Sequence, residues 1–494
     1  MIVIEYVIAV EPGIRHTGNA IARETRCEAH PRRRGTGTFL EGNCIMLTGY
    51  AGAGGPVLAT AGTGTDGATD AAAGTPVGSV AVVGLGYVGL PTALAFDAAG
   101  IRVVGVDVSA ARIEEIHTGT PDLLPQDADR LTAARTRPDR FRITADPALI
   151  AGADAVVVAV PTPVDAHAVP DLQALRGACA TVVEYARPGQ TLILTSTSYA
   201  GSTRELLVEP LRRKGFVPGE DIHVAFAPER IDPGNSVFEQ ARVPRVVSGA
   251  TPACAASAAR ALAPICGGTH LVSGLEVAEL AKLLENTFRA VNISLANEFA
   301  VISGRLGVDP AEVVAAAATK PFGFMPFHPG RGVGGHCIPC DPHYLLWQLR
   351  RDGHVPRVIS AAMDGIRARP HEVVTRAAEV LAESGRVLSR SRVLVSGIAY
   401  KPDVEDVRES PALEIISGLA ARGAEVAVHD PHVPSVRAAE TIYLSVDEDT
   451  DMSAYDLVVV CVRHSSVAED TYAKAPLVLD ATYSLPAASN RRLP

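Results

Sequence analysis

Residues 79–107 read SVAVVGLGYVGLPTALAFDAAGIRVVGVD, and the order of residue types in this stretch decides the fold. VAVVG (80–84) is a short apolar, β-branched run that reads as a buried strand. Gly84, Gly86 and Gly89 then form G-x-G-x-x-G, with Tyr87 and Val88 between them, before the helical run PTALAFDAAG and a second strand, RVVGVD. The first glycine permits a tight turn. The second lets backbone approach a pyrophosphate, and the third lets the helix pack on the strand. The helix N-terminus adds N–H donors and the positive end of its dipole. Asp107 ends the second strand 107 − 86 = 21 positions after Gly86, where a carboxylate accepts hydrogen bonds from ribose hydroxyls. A glycine triplet alone is a weak signal; strand, turn, helix, strand and acid in this order specify a dinucleotide site. An acid at 107 favours NAD over NADP.

Working outward, ADAVVVAV (153–160) and TLILTST (191–197) are further strands separated by helix-length segments, the pattern of a parallel α/β sheet. From Leu275 to about Gly304 there is neither Gly nor Pro until the end. Apolar residues recur at helical spacing, at Leu280, Leu283, Leu284, Phe288, Val291 and Leu295, so one long helix is expected. Its apolar surface exceeds a narrow stripe, which suggests burial against a partner copy. After Ser391 the α/β pattern restarts: RVLVSGIA, the helix SPALEIISGLAARG, then AEVAVHD, DLVVVCV and LVLDAT. The expected architecture is α/β, with two Rossmann-like parallel-sheet domains joined by a long central helix. Its expected bounds are 79–270, 271–385 and 386–494. Residues 1–78 lack periodicity, and 51–79 are Gly, Ala and Thr with almost no charge. They are expected to be a disordered extension, or partly an artefact of start-site choice, since Met46 offers a later start.

The chain has 494 residues, 47% hydrophobic, with a formal net charge of -10. That acidity argues against a phosphate-backbone binder of nucleic acid. Eight cysteines in this length do not suggest a disulfide framework. With no bilayer-length apolar run and no basic n-region, a cytoplasmic protein is expected.

The segment PFGFMPFHPGRGVGGHCIPCDPHYL (321–345) carries the chemistry. Gly334 and Gly335 precede Cys337 and would let a substrate approach the thiol. Asp341 follows four residues later, between Pro339 and Pro342 on a stiffened turn. A thiolate is a good nucleophile toward an aldehyde, and a neighbouring carboxylate can orient or deprotonate water. Other readings stand beside this one: a small buried hydrophobe, or a redox or zinc half-site formed with Cys340. Zinc lacks a second C-x-x-C or matching His pair, and no metal is expected. Lysine is scarce, only five in the chain. Lys282 and Asn286 lie at i, i+4 on the long helix, where together they would bind an oxyanion or simply form a solvated face.

From about Ser79 to Ala487 the sequence resembles the UDP-glucose/GDP-mannose dehydrogenase family. The resemblance rests on GLGYVGLP (84–91), VPTP (160–163), Ser196-Thr197, FAPERIDPGN (226–235), KLLENTFRAVNISLANE (282–298), GGHCIPCDP (334–342) and AYKPDVEDVRESP (399–411). It looks most like the branch acting on UDP-N-acetylglucosamine, near that for UDP-N-acetylmannosamine, with UDP-glucose more distant. The resemblance implies a four-electron oxidation with two NAD in succession, through a cysteine thioester, in a homodimer. It implies Cys337 as nucleophile, Lys282 and Asn286 in acid–base and oxyanion roles, Asp341 activating water, Thr197 holding it and Glu229 near the reacting centre. Tyr87, Val88, Asp107, Arg112, Thr162 and Thr197 would line the NAD site with Gly84, Gly86 and Gly89. Arg230, Lys282, Asn286, Arg289, Gly334, Lys401 and Arg408 fall at substrate positions, with Lys320 reaching a neighbouring subunit's site. Thr195, Ala200, Arg331 and Cys340 depart from the family pattern; Thr195 and Arg331 leave the sugar open.

Two other classes compete. A two-electron hydroxyacid or 6-phosphogluconate type of dehydrogenase would need neither Cys337 nor a second α/β domain with Lys401 and Arg408. A non-catalytic nucleotide-sugar binder would tolerate loss of Cys337, Lys282 or Asp341, and all three are present.

Overall fold

The computed structural model describes residues 77–494 apart from 122, 124, 231–241, 336 and 448. The expectation for residues 1–78 lies, but for the last two positions, outside the described residues.

The first sheet has eight strands: β1 Ser79–Val83, β2 Arg102–Val106, β3 Phe141–Thr144, β4 Ala155–Val158, β5 Thr191–Leu194, β6 His223–Phe226, β7 Arg245–Gly249 and β8 Thr269–Leu271. Their order is β3-β2-β1-β4-β5-β6-β7-β8. The strands pair in parallel except for the antiparallel β6–β7 contact. Strand order reverses at β1/β4, which opens a crevice at the C-terminal strand ends. Helices α1 Gly89–Ala98, α2 Ala110–Thr118, α3 Pro125–Arg135, α4 Gln173–Tyr185, α5 Glu209–Arg213 and α6 Pro252–Leu262 belong to this region. β1, β4 and β5 are buried along their whole length, so they read as continuous apolar runs rather than alternating ones. Two apolar clusters result, one centred on Val156, Leu192 and Phe226, the other on Val157, Ile193 and Phe96.

The middle of the chain is helical: α7 Leu275–Arg305, α8 Pro310–Ala318, α9 Asp341–Arg350 and α10 Arg357–Glu383. The expected long helix is α7. The burial of its residues sets the two sides of the helix apart. Leu280, Leu284, Phe288 and Leu295 are exposed, whereas Glu279, Lys282 and Asn286 are buried beside Leu283. The apolar spacing marks the outward side, because the inward side is given over to polar chemistry. The second long helix, α10, spans 27 residues with Pro370 inside it, and the breaker rule for proline hides it in the sequence.

The C-terminal sheet contains β9 Arg392–Ser396, β10 Glu425–His429, β13 Leu457–Val460, β14 Val478–Asp480 and β15 Arg491–Arg492. Its order is β10-β9-β13-β14-β15, parallel throughout. Helix α11 Pro411–Ala421 packs on it, and β11 Ser435–Ala438 with β12 Thr441–Leu444 forms a small antiparallel pair. The class is therefore α/β, with one predominantly parallel sheet, one wholly parallel sheet and a long central helix.

Candidate active site

The glycine turn after β1 is built as the sequence predicts. Gly84 has φ +87°, and a Cβ there would lie 2.5 Å from the Ala159 carbonyl; a Cβ on Gly89 would lie 1.8 Å from the Gly84 carbonyl. Both positions are closed to any side chain. Gly86 differs: a Cβ would meet nothing within 4 Å. Packing does not require this glycine, and the open space lets a bound group approach the backbone. Val88, half-buried, precedes α1 without a side-chain cap; Leu90 N bonds the Gly86 carbonyl at 3.1 Å, and the positive end of the helix dipole faces the turn. Asp107 Oδ2 accepts from Leu85 N at 2.7 Å, and Oδ1 accepts from Ser109 N at 2.8 Å. The carboxylate is thus held at the end of β2 with lone pairs left for ribose hydroxyls. Arg112 donates from Nε to the Leu85 carbonyl at 2.9 Å and closes the turn. These residues fit NAD. We expect kcat/KM with NAD to exceed that with NADP by more than about tenfold, because a 2′-phosphate would face the Asp107 carboxylate. Equal use of both cofactors in a steady-state assay would show Asp107 to lie away from the ribose.

Helix α9 brings the cysteine segment to this crevice. Tyr344 Oη donates to the Thr162 carbonyl at 3.2 Å. Gln348 accepts from Ala200 N at 3.1 Å and donates to Ala200 O at 2.9 Å. Tyr199 and Trp347 stack edge to face, 5.6 Å between centroids. The loops after β4 and β5 are therefore clamped to α9, with half-buried Thr197 in the second of them. A proline at 200 would lack the N–H that Gln348 uses, which accounts for alanine there.

Cys337 is exposed and stands one turn before α9; its carbonyl accepts from Asp341 N at 2.9 Å. Asp341 is only 3% exposed and accepts a hydrogen bond from Asn286 Nδ2. Burial pushes its carboxyl up to about 6, against the opposing pull of Lys282 and the Asn286 bond. Lys282 and Asn286 are buried on the same face of α7, so the solvated-face alternative is excluded. The structure brings Lys282, Asn286 and Asp341 together beside the Cys337 turn. Glu229 accepts from Arg230 N at 2.9 Å and pairs with buried Arg245. Arg230 in turn pairs with Glu285, the residue before Asn286 on α7. Arg289 and Lys320 are exposed, Lys320 lying 5.0 Å from the Phe322 ring.

The glycines before the thiol are also required by packing. A Cβ on Gly334 would fall 2.6 Å from the Glu409 carbonyl, and one on Gly335, at φ +81°, 3.1 Å from the Tyr400 ring. They let the loop dock closely on the C-terminal domain. Arg331 ties the same surfaces, donating from Nη2 to the Ala399 and Tyr400 carbonyls at 3.1 and 2.6 Å. Lys401 lies half-buried in that loop, 5.9 Å from the Tyr400 ring. Arg408, grouped with the substrate residues from the sequence, reaches the glycine turn. Its guanidinium is 3.4 Å from the centroid of Tyr87, on the glycine turn, and is held by both Asp406 oxygens at 2.8 and 2.6 Å.

Sequence reasoning missed the supports of the site. Arg369, buried in α10, donates to the Gly330 carbonyl at 2.8 Å and to Tyr483 Oη at 2.6 Å, and no local signal marks it. Glu279 is different: buried, it accepts from Ser202 Oγ at 3.1 Å and from Thr203 N and Oγ1 at 2.9 and 2.7 Å. With Lys282 and Asn286 it forms a polar stripe at helical spacing that was open to reading.

Fold and site together define a dehydrogenase that binds a dinucleotide on one α/β domain and faces it with a second. Comparison with known proteins narrows this. Models of the UDP-glucose/GDP-mannose dehydrogenase family match residues 78–265 (NAD binding domain), 276–365 (central domain) and 394–486 (UDP binding domain), and the chain belongs to that family. It is an NAD-dependent UDP-sugar dehydrogenase. It is 36% identical to UDP-N-acetyl-D-glucosamine 6-dehydrogenase of Pseudomonas aeruginosa, over 78% of this chain and 90% of the relative. It is 34% identical to UDP-N-acetyl-D-mannosamine dehydrogenase of Yersinia pestis, over 78% and 93%. Among solved structures, UDP-D-ManNAc dehydrogenase of Pyrococcus horikoshii superposes with TM-score 0.76 at 30% identity, covering 84% of this chain and 98% of that one. Among the described residues, no helix is long and apolar enough to cross a membrane.

Proposed function

We propose that this enzyme oxidises the C6 alcohol of a UDP-N-acetylhexosamine, foremost UDP-N-acetylglucosamine, to the uronic acid, in two successive oxidations through a thioester on Cys337, in the cytoplasm. One observation carries the reading: an exposed thiol stands one turn before a buried carboxylate that Asn286 and Lys282 hold. The names of the relatives from Pseudomonas and Yersinia favour an N-acetylhexosamine.

When bound, NAD would accept the hydride of each oxidation, and Lys282 would take the C6 hydroxyl proton in the first. The rest falls to this chain. Cys337 sulfur adds to the C6 aldehyde, forming a C–S bond, and the carbonyl oxygen becomes an oxyanion facing the Lys282 ammonium and Asn286 amide. Loss of the second hydride leaves the thioester. Asp341 takes a proton from a water held by Thr197, the hydroxide adds to the thioester, the C–S bond breaks and the thiolate returns. One water is consumed and the acid is released. Residues 79–270 carry NAD, 271–385 the catalytic groups, and 386–494 the UDP moiety, with Lys401 beside the diphosphate. Glu229 and Arg230 serve as a brace between β6 and α7. Arg408 joins the cofactor side, its charge stacked over Tyr87 where dinucleotide phosphates approach. Among UDP-glucose, UDP-N-acetylglucosamine, UDP-N-acetylmannosamine and UDP-N-acetylgalactosamine, UDP-N-acetylglucosamine is expected to give the highest kcat/KM. A clear preference for UDP-glucose would refute the hexosamine reading.

The same reading pairs two copies along α7. Leu284 is 66% exposed, and Val277, Leu280, Phe288, Leu295, Phe299 and Ile302 continue the apolar side of the helix. Sedimentation at micromolar concentration is expected to show a homodimer, and Leu284→Glu a monomer. A monomeric wild type would overturn this part.

A further inference from the structure

Cys337-Ile338-Pro339-Cys340 is a single turn at the start of α9. Cys340 N donates to the Cys337 carbonyl at 3.3 Å, and Asp341 N donates to the same oxygen at 2.9 Å. A turn closed in this way keeps the first and fourth Cα atoms within about 7 Å, and disulfides span Cα separations of about 4.4–6.8 Å. The two thiols are unlike. Cys337 is exposed, while Cys340 is 3% exposed beneath it. Burial, with help from nearby Asp341, pushes the Cys340 thiol up to about 12, so it stays protonated. Cys340 has no part in the oxidation chemistry described above, and an alanine or serine would fill its place in the turn. Its place three residues after Cys337 in the closed turn makes it the nearest disulfide partner the turn offers Cys337.

We propose that Cys337 and Cys340 form a reversible disulfide when the enzyme meets a hydroperoxide, and that this switches turnover off. Cys337 sulfur attacks the terminal peroxide oxygen, the O–O bond breaks, and a sulfenic acid and one molecule of water or alcohol result. Cys340 sulfur then attacks the Cys337 sulfur, the S–OH bond breaks, and a second water leaves with the Cys340 proton. Two thiols are oxidised by two electrons, and the peroxide is reduced by two. The nucleophile is tied up but guarded from irreversible oxidation to the sulfinic acid, and a dithiol restores it.

The inference rests on Cys337 being the nucleophile, but its test reads mass as well as turnover. The reduced full-length enzyme is treated with hydrogen peroxide, assayed before and after dithiothreitol, and digested with trypsin. Residues 332–350 carry both cysteines on one peptide. In the wild type this peptide is expected to lose two hydrogens, with most activity lost and then recovered. Cys340→Ala is expected to keep basal turnover, yet to gain two oxygens on Cys337, as the sulfinic acid, and so to stay inactive after dithiothreitol. Intact thiols in inactivated wild type, or a Cys340→Ala peptide with no more sulfinic acid on Cys337 than the wild-type peptide carries, would overturn the proposal. Should Cys340→Ala fail to fold, the wild-type peptide mass decides alone. A disulfide forming in an enzyme whose Cys337→Ser variant still turns over would refute the thioester reading and the switching role, while leaving the modification itself standing.

Discussion

Cys337→Ser is expected to lose overall turnover by on the order of 10³-fold or more, while binding NAD and UDP-sugar close to wild type. A hydroxyl is far less nucleophilic than a thiolate at neutral pH, and neither ground-state complex requires the sulfur. The substitution is mild structurally, because residue 337 is exposed, backbone hydrogen bonds close its turn, and serine is close to cysteine in size. Binding is checked by calorimetry and turnover by NADH formation. A cysteine with only a packing role predicts substantial residual activity instead.

Asp341→Asn is the second large effect. Asn286 can still bond an amide at 341, so the site is expected to fold. What is lost is the base for the water. Thioester hydrolysis is expected to slow by roughly 10²-fold or more, so that the sugar nucleotide accumulates on Cys337 and is seen as an added mass on that peptide. The wild-type enzyme carries the matching pH signature. Burial holds the Asp341 carboxyl at about 6, above its ordinary value, so the base is protonated and hydrolysis falls as pH drops below about 6. Asp341→Asn removes that limb of the profile. The stability contribution of the same group has the opposite sense: it is full below about 4, where the carboxyl is protonated in both states, and is lost as pH rises through about 6. A wild-type profile without a limb near 6, or an Asp341→Asn enzyme that releases product normally, would remove Asp341 from the water step.

Much of this site was open to reading because its chemistry is local in sequence. The turn of Gly84, Gly86 and Gly89 encodes its own conformation, and Asp107 follows at the length of one helix and one strand. Cys337 and Asp341 lie on one turn, and Lys282 and Asn286 on one face. What the sequence left open is tertiary. Leu280 and Leu284 have the spacing of an apolar face, yet only the folded chain shows that Lys282 and Asn286 face inward while Leu280 and Leu284 face outward. Gly334 and Gly335 meet Glu409 and Tyr400, some 65 to 75 positions away in sequence. Arg408 meets Tyr87, over 300 positions distant. Arg369 on α10 and Gln348 on α9 act through backbone carbonyls and amides that leave no trace in residue type.

The central claim is that one enzyme carries a sugar alcohol through both oxidations on Cys337. The most direct measurement is the amount of NADH formed per UDP-N-acetylglucosamine consumed, with the sugar limiting and the product identified by mass. Two NADH for each sugar, with the uronic acid as product, are expected. One NADH per sugar, with an aldehyde or ketone released, would contradict it.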